Sequence, residues 1–180
     1  MYSMPENIIE KGFLSEVFTS RDSLGIIIDK SASNQLAYDA IRSVQNYLPS
    51  QKEICFFVQE ISALPLTPTT GLYYSSSLMS YKGNLLATSI SSTHDAIRSG
   101  SGGRVVFYIR DLGDLAKHDK QAVNYILSSP NVIKICASEN YKKFIIQNYP
   151  AAIIHKRVVE DFNISDICEI VFGENDGLQK

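Results

Sequence analysis

The residues best suited to chemistry lie at the ends of predicted strands, where polar side chains follow apolar runs. His94 begins a short predicted helix, and an imidazole there can act as a general base or hydrogen-bond a sugar hydroxyl. Arg110 and Asp111 end the clearest predicted strand, RVVFYIR, where they would serve as an anion clamp and a hydroxyl acceptor. His94 and Asp111 are therefore the candidate catalytic residues. An exposed helix-start histidine and a surface ion network are the alternative interpretations.

The other candidate residues come from neighbouring loops and would bind a ligand. Asp29 ends the first predicted strand, where it would orient a substrate hydroxyl or accept backbone amides of its own turn. Ser138 begins a helix whose amino terminus could hold an anion, although the adjacent Glu139 opposes a phosphate there. The candidate ligand-binding residues are Asp29, Ser31, Asn34, Thr93, Arg110 and Ser138.

These residues would be positioned by an alternation of strands and helices. Continuous apolar runs such as LGIIID at 24–29 and EICFFVQ at 53–59 are typical of strands that are buried on both faces. Between them, apolar residues recur at helical spacing over 36–48. The predicted strands are 24–29, 53–59, 84–90, 104–110, 132–137 and 153–159, and the predicted helices are 33–48, 92–97, 120–127, 138–148 and 165–172.

About six strands alternating with about five helices predict an α/β fold, a single three-layer, doubly wound and mainly parallel sheet of the Rossmann-like type. The Pro/Thr/Ser-rich residues 62–77 are too irregular for one regular element. Ser92 and Asp95 form a weak capping box for the short helix that carries His94. Ligands bind such sheets outside the carboxyl ends of the strands, near the point where strand order reverses. That rule selects the loops in which the candidate residues lie.

Several well-marked chemistries are excluded by missing motifs. The loop after the first strand is DKSASN, which has no glycine, so the dinucleotide-binding fingerprint is absent from its required place. The GSGG at 100–103 precedes a strand, which favours a turn over phosphate binding. The sequence contains no P-loop and no G-x-S-x-G elbow. No cofactor and no metal site are expected.

Length, charge and cysteine usage narrow the kinds of protein that remain. A chain of 180 residues can bury one sizeable core, so we expect a single domain over 1–180, with an appendage at 1–22 and a frayed tail at 174–180. A net charge of −2 lacks the basic footprint of a nucleic-acid or anionic-membrane binder. The three cysteines have no metal-ligand spacing and favour buried thiols in a reducing compartment. No apolar segment is long enough to span a bilayer, and no signal peptide is visible, so a cytoplasmic protein is expected.

A family resemblance is carried by the phrases IKICASE at 133–139, YKKF at 141–144 and VVEDFN at 158–163, together with FYIRDL at 107–112 upstream. These phrases resemble the closing part of the amino-terminal Rossmann-like domain of GT-B-type glycosyltransferases. Two features depart from that family. DKSAS replaces its glycine-rich first loop, and its second Rossmann domain has no counterpart after Phe172.

The resemblance implies a glycosyltransferase-like half domain that binds a sugar, a nucleotide or a protein partner, with reduced or no catalysis of its own. The expected partners are a sugar nucleotide, another protein or a second copy of the chain. If the protein is an enzyme, it would be a glycosyltransferase-like transferase. The alternative is a non-enzymatic structural or interaction subunit on the same scaffold, since a common fold hosts many unrelated functions.

Overall fold

The fold is described from a computed structural model, which covers residues 22–29, 33–47, 52–61, 64–173 and 178–179. Six parallel strands form one sheet with helices packed on both of its faces. The prediction of a Rossmann-like α/β sheet is thereby confirmed. The strands are β1 (Ser23–Ile28), β2 (Glu53–Val58), β3 (Gly71–Tyr74), β4 (Asn84–Ala87), β5 (Val105–Ile109) and β6 (Val132–Cys136).

The strand order is β3-β2-β1-β4-β5-β6, and every neighbouring pair is parallel. From β1 the chain builds outward through β2 and β3, and it then returns to build in the other direction through β4, β5 and β6. The order therefore reverses between β1 and β4, which lie side by side with Leu24 opposite Asn84. A ligand crevice is expected outside the carboxyl ends of these two strands.

Helices cover the two faces of the sheet unequally. The α-helices in the described part of the chain are α1 (Asn34–Asn46), α2 (Ile90–Ser99), α3 (Leu112–Lys117), α4 (Lys120–Ser128), α5 (Glu139–Asn148) and α6 (Ile164–Phe172). Helices α1 and α6 pack on the face that contains Ile26 and Phe56. Helices α2, α4 and α5 pack on the face that contains Ile27, Phe57 and Phe107. Consecutive strand residues point to opposite faces, which is why Ile26 and Ile27 are both buried but belong to different layers.

Two strands of the structure differ from the prediction. The edge strand β3 was not predicted, because it lies inside the segment 62–77 that the sequence predicts to be irregular. Its four residues are too few to show a period, and the strand forms because β2 offers it a parallel backbone partner. The strand predicted at 153–159 is reduced to β7 (Ile154–His155), which pairs with β8 (Leu178–Gln179) in a separate antiparallel sheet. The backbone amide of Arg157 donates to Nδ1 of His155 at 3.2 Å, so the chain turns just after β7.

The boundary between β4 and α2 also differs from the prediction. The strand ends at Ala87 and the helix begins at Ile90. The capping box is formed by Ser89 and Ser92 instead of Ser92 and Asp95, because these two hydroxyls bond the first free amides of the helix. Gly100 ends α2 with φ of 62°, the turn conformation that favours glycine.

The lysine of β6, Lys134, is buried in the sheet. The hydrogen bond described for it is to a backbone carbonyl oxygen and not to a carboxylate. Lys134 of β6 has no exposed surface, and its Nζ donates to the carbonyl oxygen of Ser129 at 2.6 Å. Burial lowers the pKa of Lys134 from 10.5 to about 8, because the charged ammonium loses its hydration. The folded protein therefore carries a desolvation penalty below pH 8.

We predict that Lys134→Met raises the stability at neutral pH by about 1–2 kcal/mol, because it removes a penalty of at most about 3 kcal/mol but leaves the Ser129 carbonyl with only the weak 3.5 Å bond from the Val132 amide. The unfolded chain keeps Lys134 protonated up to about pH 10.5, so the penalty disappears as pH rises from about 8 to 10.5. Denaturant unfolding at several pH values should show the gain shrinking over that range. Lys143→Met, at an exposed position, is the control. A gain in stability that stays constant with pH would contradict the lowered pKa of Lys134.

Candidate functional site

A crevice of about 290 Å³ opens where the strand order reverses. The chain leaves β1 for helix α1 on one face of the sheet and leaves β4 for helix α2 on the other, so the two connections diverge and leave a gap. The residues that line the crevice are Ser33, Leu36, Thr88, Ser89, Arg110, Asp111 and Asp114. The site therefore lies at the place that the topology of the sheet selects.

The floor of the crevice is the corner between β4 and α2. Ser89 is the N-cap of α2, and its hydroxyl donates to the carboxylate of Asp29 at the end of β1. The hydroxyl of Ser92 accepts from the backbone amides of Thr88 at 3.1 Å and of Ser89 at 2.9 Å. The Thr88 hydroxyl donates to the carbonyl oxygen of Ile27 at 3.0 Å. These bonds join the two strands at the reversal point and hold the floor rigid.

One wall of the crevice is the carboxyl group of Asp114, whose side chain is 8% exposed. Its Oδ2 accepts from the backbone amide of Ile90 at 2.8 Å, which fixes the carboxyl group against the first turn of α2. Its Oδ1 accepts no hydrogen bond from the described residues, although Nε2 of His118 lies 3.6 Å away. A buried acceptor without a donor costs about 1–3 kcal/mol, and more when it is charged. Asp114 Oδ1 is therefore the acceptor that a ligand donor would satisfy.

Arg110 and Asp111 also line the crevice. The guanidinium of Arg110 makes a salt bridge with Asp39 of α1, so most of its charge is already balanced. Asp111 is exposed, and its Oδ1 accepts from the amide of Gly113 at 2.7 Å as the N-cap of α3. Asp29, Asp111 and Asp114 together leave the crevice acidic. Such a site favours hydroxyl donors and disfavours a phosphate.

A second cavity, the α2–α4 groove, lies beside the crevice and has a volume of about 590 Å³. Its lining residues are Ile90, Ser91, His94, Asp95, His118, Gln121, Ala122, Tyr125 and Ile126. Asp114 and His118 separate the two cavities, since Asp114 lines the crevice and His118 lines the groove.

The structure brings three of the predicted site residues together. Arg110 and Asp111 line the crevice, and Asp29 supports it through Ser89. His94 is exposed on α2 and lines the neighbouring groove, so His94 and Arg110 do not share one cavity.

The other predicted residues lie elsewhere. Thr93 is fully buried, and its hydroxyl donates to the carbonyl oxygen of Ser89 at 2.7 Å. Its side chain is therefore hydrogen-bonded within the first turn of α2. Ser138 caps α5 by accepting from the amide of Tyr141 at 3.2 Å. Asn34 is the exposed first residue of α1, and Ser31 lies outside the described residues. Hydrogen bonds within the helices thus account for Thr93 and Ser138, which sequence reasoning assigned to a ligand.

Sequence reasoning missed Thr88, Ser89, Asp114 and His118. Thr88 and Ser89 fall inside the segment predicted as strand 84–90, which hid them from the search of loops. Asp114 and His118 did carry a signal. They are spaced four residues apart just after a strong strand, so one helical turn brings them together.

Cysteine and metal chemistry find no support in the described part of the chain. Burial raises the pKa of Cys55 and Cys136 to about 12 and that of Cys168 to about 11, which keeps these free thiols protonated. Within the described ranges, no group of three or more His, Cys, Asp or Glu side chains is arranged to hold a metal ion. No helix within those ranges has the length and apolarity needed to cross a bilayer.

No protein-family model, curated protein or solved structure matches this chain. The function is therefore inferred from the chemistry of the crevice and the groove.

We predict that Ser92→Ala lowers the stability by about 2–3 kcal/mol, because the buried amides of Thr88 and Ser89 lose their acceptor. In a chain of this size, thermal denaturation should then show a midpoint about 4–10 °C lower. Ser91→Ala, one residue away on the exposed side of α2, should leave the midpoint nearly unchanged. Equal midpoints for the two variants would show that the capping box does not hold the floor of the crevice.

Proposed function

We propose that the crevice binds the hydroxyl groups of a sugar, and that the protein is a glycosyltransferase-like α/β domain with reduced or no catalysis of its own. The observation that carries the proposal is the carboxyl group of Asp114, a residue that lines the crevice and whose buried Oδ1 accepts no hydrogen bond from the described residues. A sugar hydroxyl is a neutral donor of the right kind for such an acceptor.

The unsatisfied oxygen of Asp114 differs from the other buried oxygens in the same condition. Those are the hydroxyls of Thr70, Ser75 and Ser101, which are neutral groups. An unsatisfied neutral hydroxyl costs less than an unsatisfied carboxylate, and none of these three is among the residues that line the crevice. Among these groups, the carboxylate of Asp114 therefore has the strongest requirement for a hydrogen-bond donor. Asp114 also lies at the place where the topology of the sheet predicts a ligand.

The size and charge of the crevice favour a sugar over a nucleotide phosphate. Its volume of about 290 Å³ is at the lower end of the range for small-molecule sites, about 300–1,000 Å³. The acidic side chains would repel a phosphate, and Arg110 is already paired with Asp39. The first loop also lacks the glycines that would bring backbone amides close to a diphosphate.

Catalysis has weaker support than binding. Asp111 is the candidate base that lines the crevice, but its Oδ1 is engaged in capping α3. His94 faces the groove instead of the crevice. We infer a binding module, which acts in the cytoplasm because three free and buried cysteines fit a reducing compartment.

A structural or interaction subunit is the second candidate. It is favoured by the exposed apolar side chains of Tyr74 and Met79, which lie on and just after the edge strand β3. An edge strand beside exposed apolar groups is a common place for a protein partner to dock.

We predict that a sugar of the right stereochemistry raises the unfolding free energy by about 2.7 kcal/mol at a hundred times its dissociation constant. Thermal denaturation should be run with a panel of neutral monosaccharides beside UDP-sugars and ADP-sugars. Asp114→Asn should fold at least as well as the wild type but lose the response, because an amide nitrogen replaces the free acceptor. Glu139→Gln, at an exposed position away from the crevice, is the matched control.

The same experiment separates the two candidate functions. A stabilisation that Asp114→Asn abolishes and Glu139→Gln retains supports the sugar crevice. The absence of any shift across the panel, with a stable oligomer in light scattering, favours the structural subunit.

A further inference from the structure

We propose that the α2–α4 groove is a second sugar subsite, so that the ligand of this protein is a saccharide of at least two linked rings. This inference rests on the proposed function, in which the crevice binds the first sugar. It assigns the substrate class as a neutral oligosaccharide and distinguishes it from a sugar nucleotide.

The first observation is that the groove and the crevice share their dividing wall. The amide of Ile90 donates to Asp114 in the crevice, while Ile90 itself lines the groove. On the other side of the wall, Nε2 of His118 lies 3.6 Å from the unsatisfied Oδ1 of Asp114. The side chains of Asp114 and His118 thus lie between the two cavities, and a linked saccharide whose first ring occupies the crevice would extend across this pair into the groove.

The second observation is an aromatic ring that the fold leaves uncovered. Tyr125 of α4 is 62% exposed, and it lines the groove above the buried side chain of Ile126. The carbon-bound hydrogens on one face of a pyranose ring form an apolar surface that packs on an aromatic ring, while the ring hydroxyls point outward at its rim. Tyr125 offers such a surface at the position where a second ring would lie.

The third observation is the set of polar groups around that ring. On α2 they are Ser91, His94 and Asp95, and on α4 the amide of Gln121 lies one helical turn from Tyr125. Both walls of the groove therefore present hydrogen-bonding side chains to the rim of a ring that stacks on Tyr125. This arrangement, an apolar surface with a few polar groups converging on it, is typical of small-molecule sites.

The charge of the groove argues against a nucleotide. None of its lining residues is a lysine or an arginine, and Asp95 adds a negative charge. A nucleobase could stack on Tyr125, but its phosphates would then have to pass the carboxylates of Asp95 and Asp114 without a lysine or arginine of the groove to pair with. A second neutral sugar meets no such opposition.

The test compares matched monosaccharides and disaccharides on the full chain by amide NMR titration. The probes are glucose, galactose, mannose and N-acetylglucosamine, each beside a disaccharide of the same unit. We expect a monosaccharide to perturb the amides of Ser89 and Ser92 in the crevice. The disaccharide should also perturb Gln121 and Tyr125 and should bind about tenfold more tightly.

The Tyr125→Ala variant should reduce the affinity for the disaccharide to the level of the monosaccharide and leave the monosaccharide affinity unchanged. Tyr125→Phe keeps the ring and should retain most of the gain. Tyr74→Ala removes an equally exposed tyrosine on the edge strand and should change neither affinity.

The possible failures are distinguishable. If monosaccharides bind but disaccharides gain nothing, or if Tyr125→Ala weakens both equally, the second subsite is overturned and the crevice remains. If no sugar binds, the proposed function itself fails, and the second subsite fails with it. Binding of UDP-sugars that depends on Tyr125 would assign the groove to a nucleobase and overturn the oligosaccharide.

Discussion

The site depends on the hydrogen bond between the hydroxyl of Ser89 and the carboxylate of Asp29, which joins the ends of β4 and β1. These strands are neighbours in the sheet, yet their connections leave for opposite faces, and their backbone pairing among the described residues ends at Ile27 and Ala87. Both side chains are buried, and a buried carboxylate persists only with donors of this kind. The bond therefore fixes the start of α2, and through α2 it fixes both cavities.

Helix α2 has a different role on each of its sides. Its first amides hold Ser89, Ser92 and the carboxyl group of Asp114, so its amino terminus faces the crevice. Its exposed side carries His94 and forms one wall of the groove. The capping box fixes the start of α2, and residues of this helix corner line both cavities. The two rings of the proposed ligand would therefore lie against the same capped helix.

The sequence predicted the layered sheet correctly because long apolar runs such as those of β1, β2 and β5 reveal a strand without any tertiary information. It did not predict β3, whose four residues become a strand only because β2 lies beside them. It placed Asp29, Arg110 and Asp111 near the crevice, since residues that end strands must lie at that edge of the sheet. It misjudged Thr93 and Ser138, because a short polar side chain at a helix start has the same pattern whether it binds a ligand or caps the helix.

Asp114 carries a signal in its spacing from His118, but the hydrogen bonding of its two oxygens could not be predicted from a pattern. The identity of its Oδ2 partner, the amide of Ile90, depends on where α2 begins, and that boundary was set by serine capping and not by periodicity. Its Oδ1 accepts no hydrogen bond from the described residues, and Nε2 of His118 lies 3.6 Å away. A carboxylate that is half satisfied destabilises the free protein, and stable folds seldom retain such a group without a use for it. Under the proposed function, a ligand hydroxyl that donates to this oxygen would recover the cost, and the oxygen that weakens the empty fold would then select for hydroxyl groups.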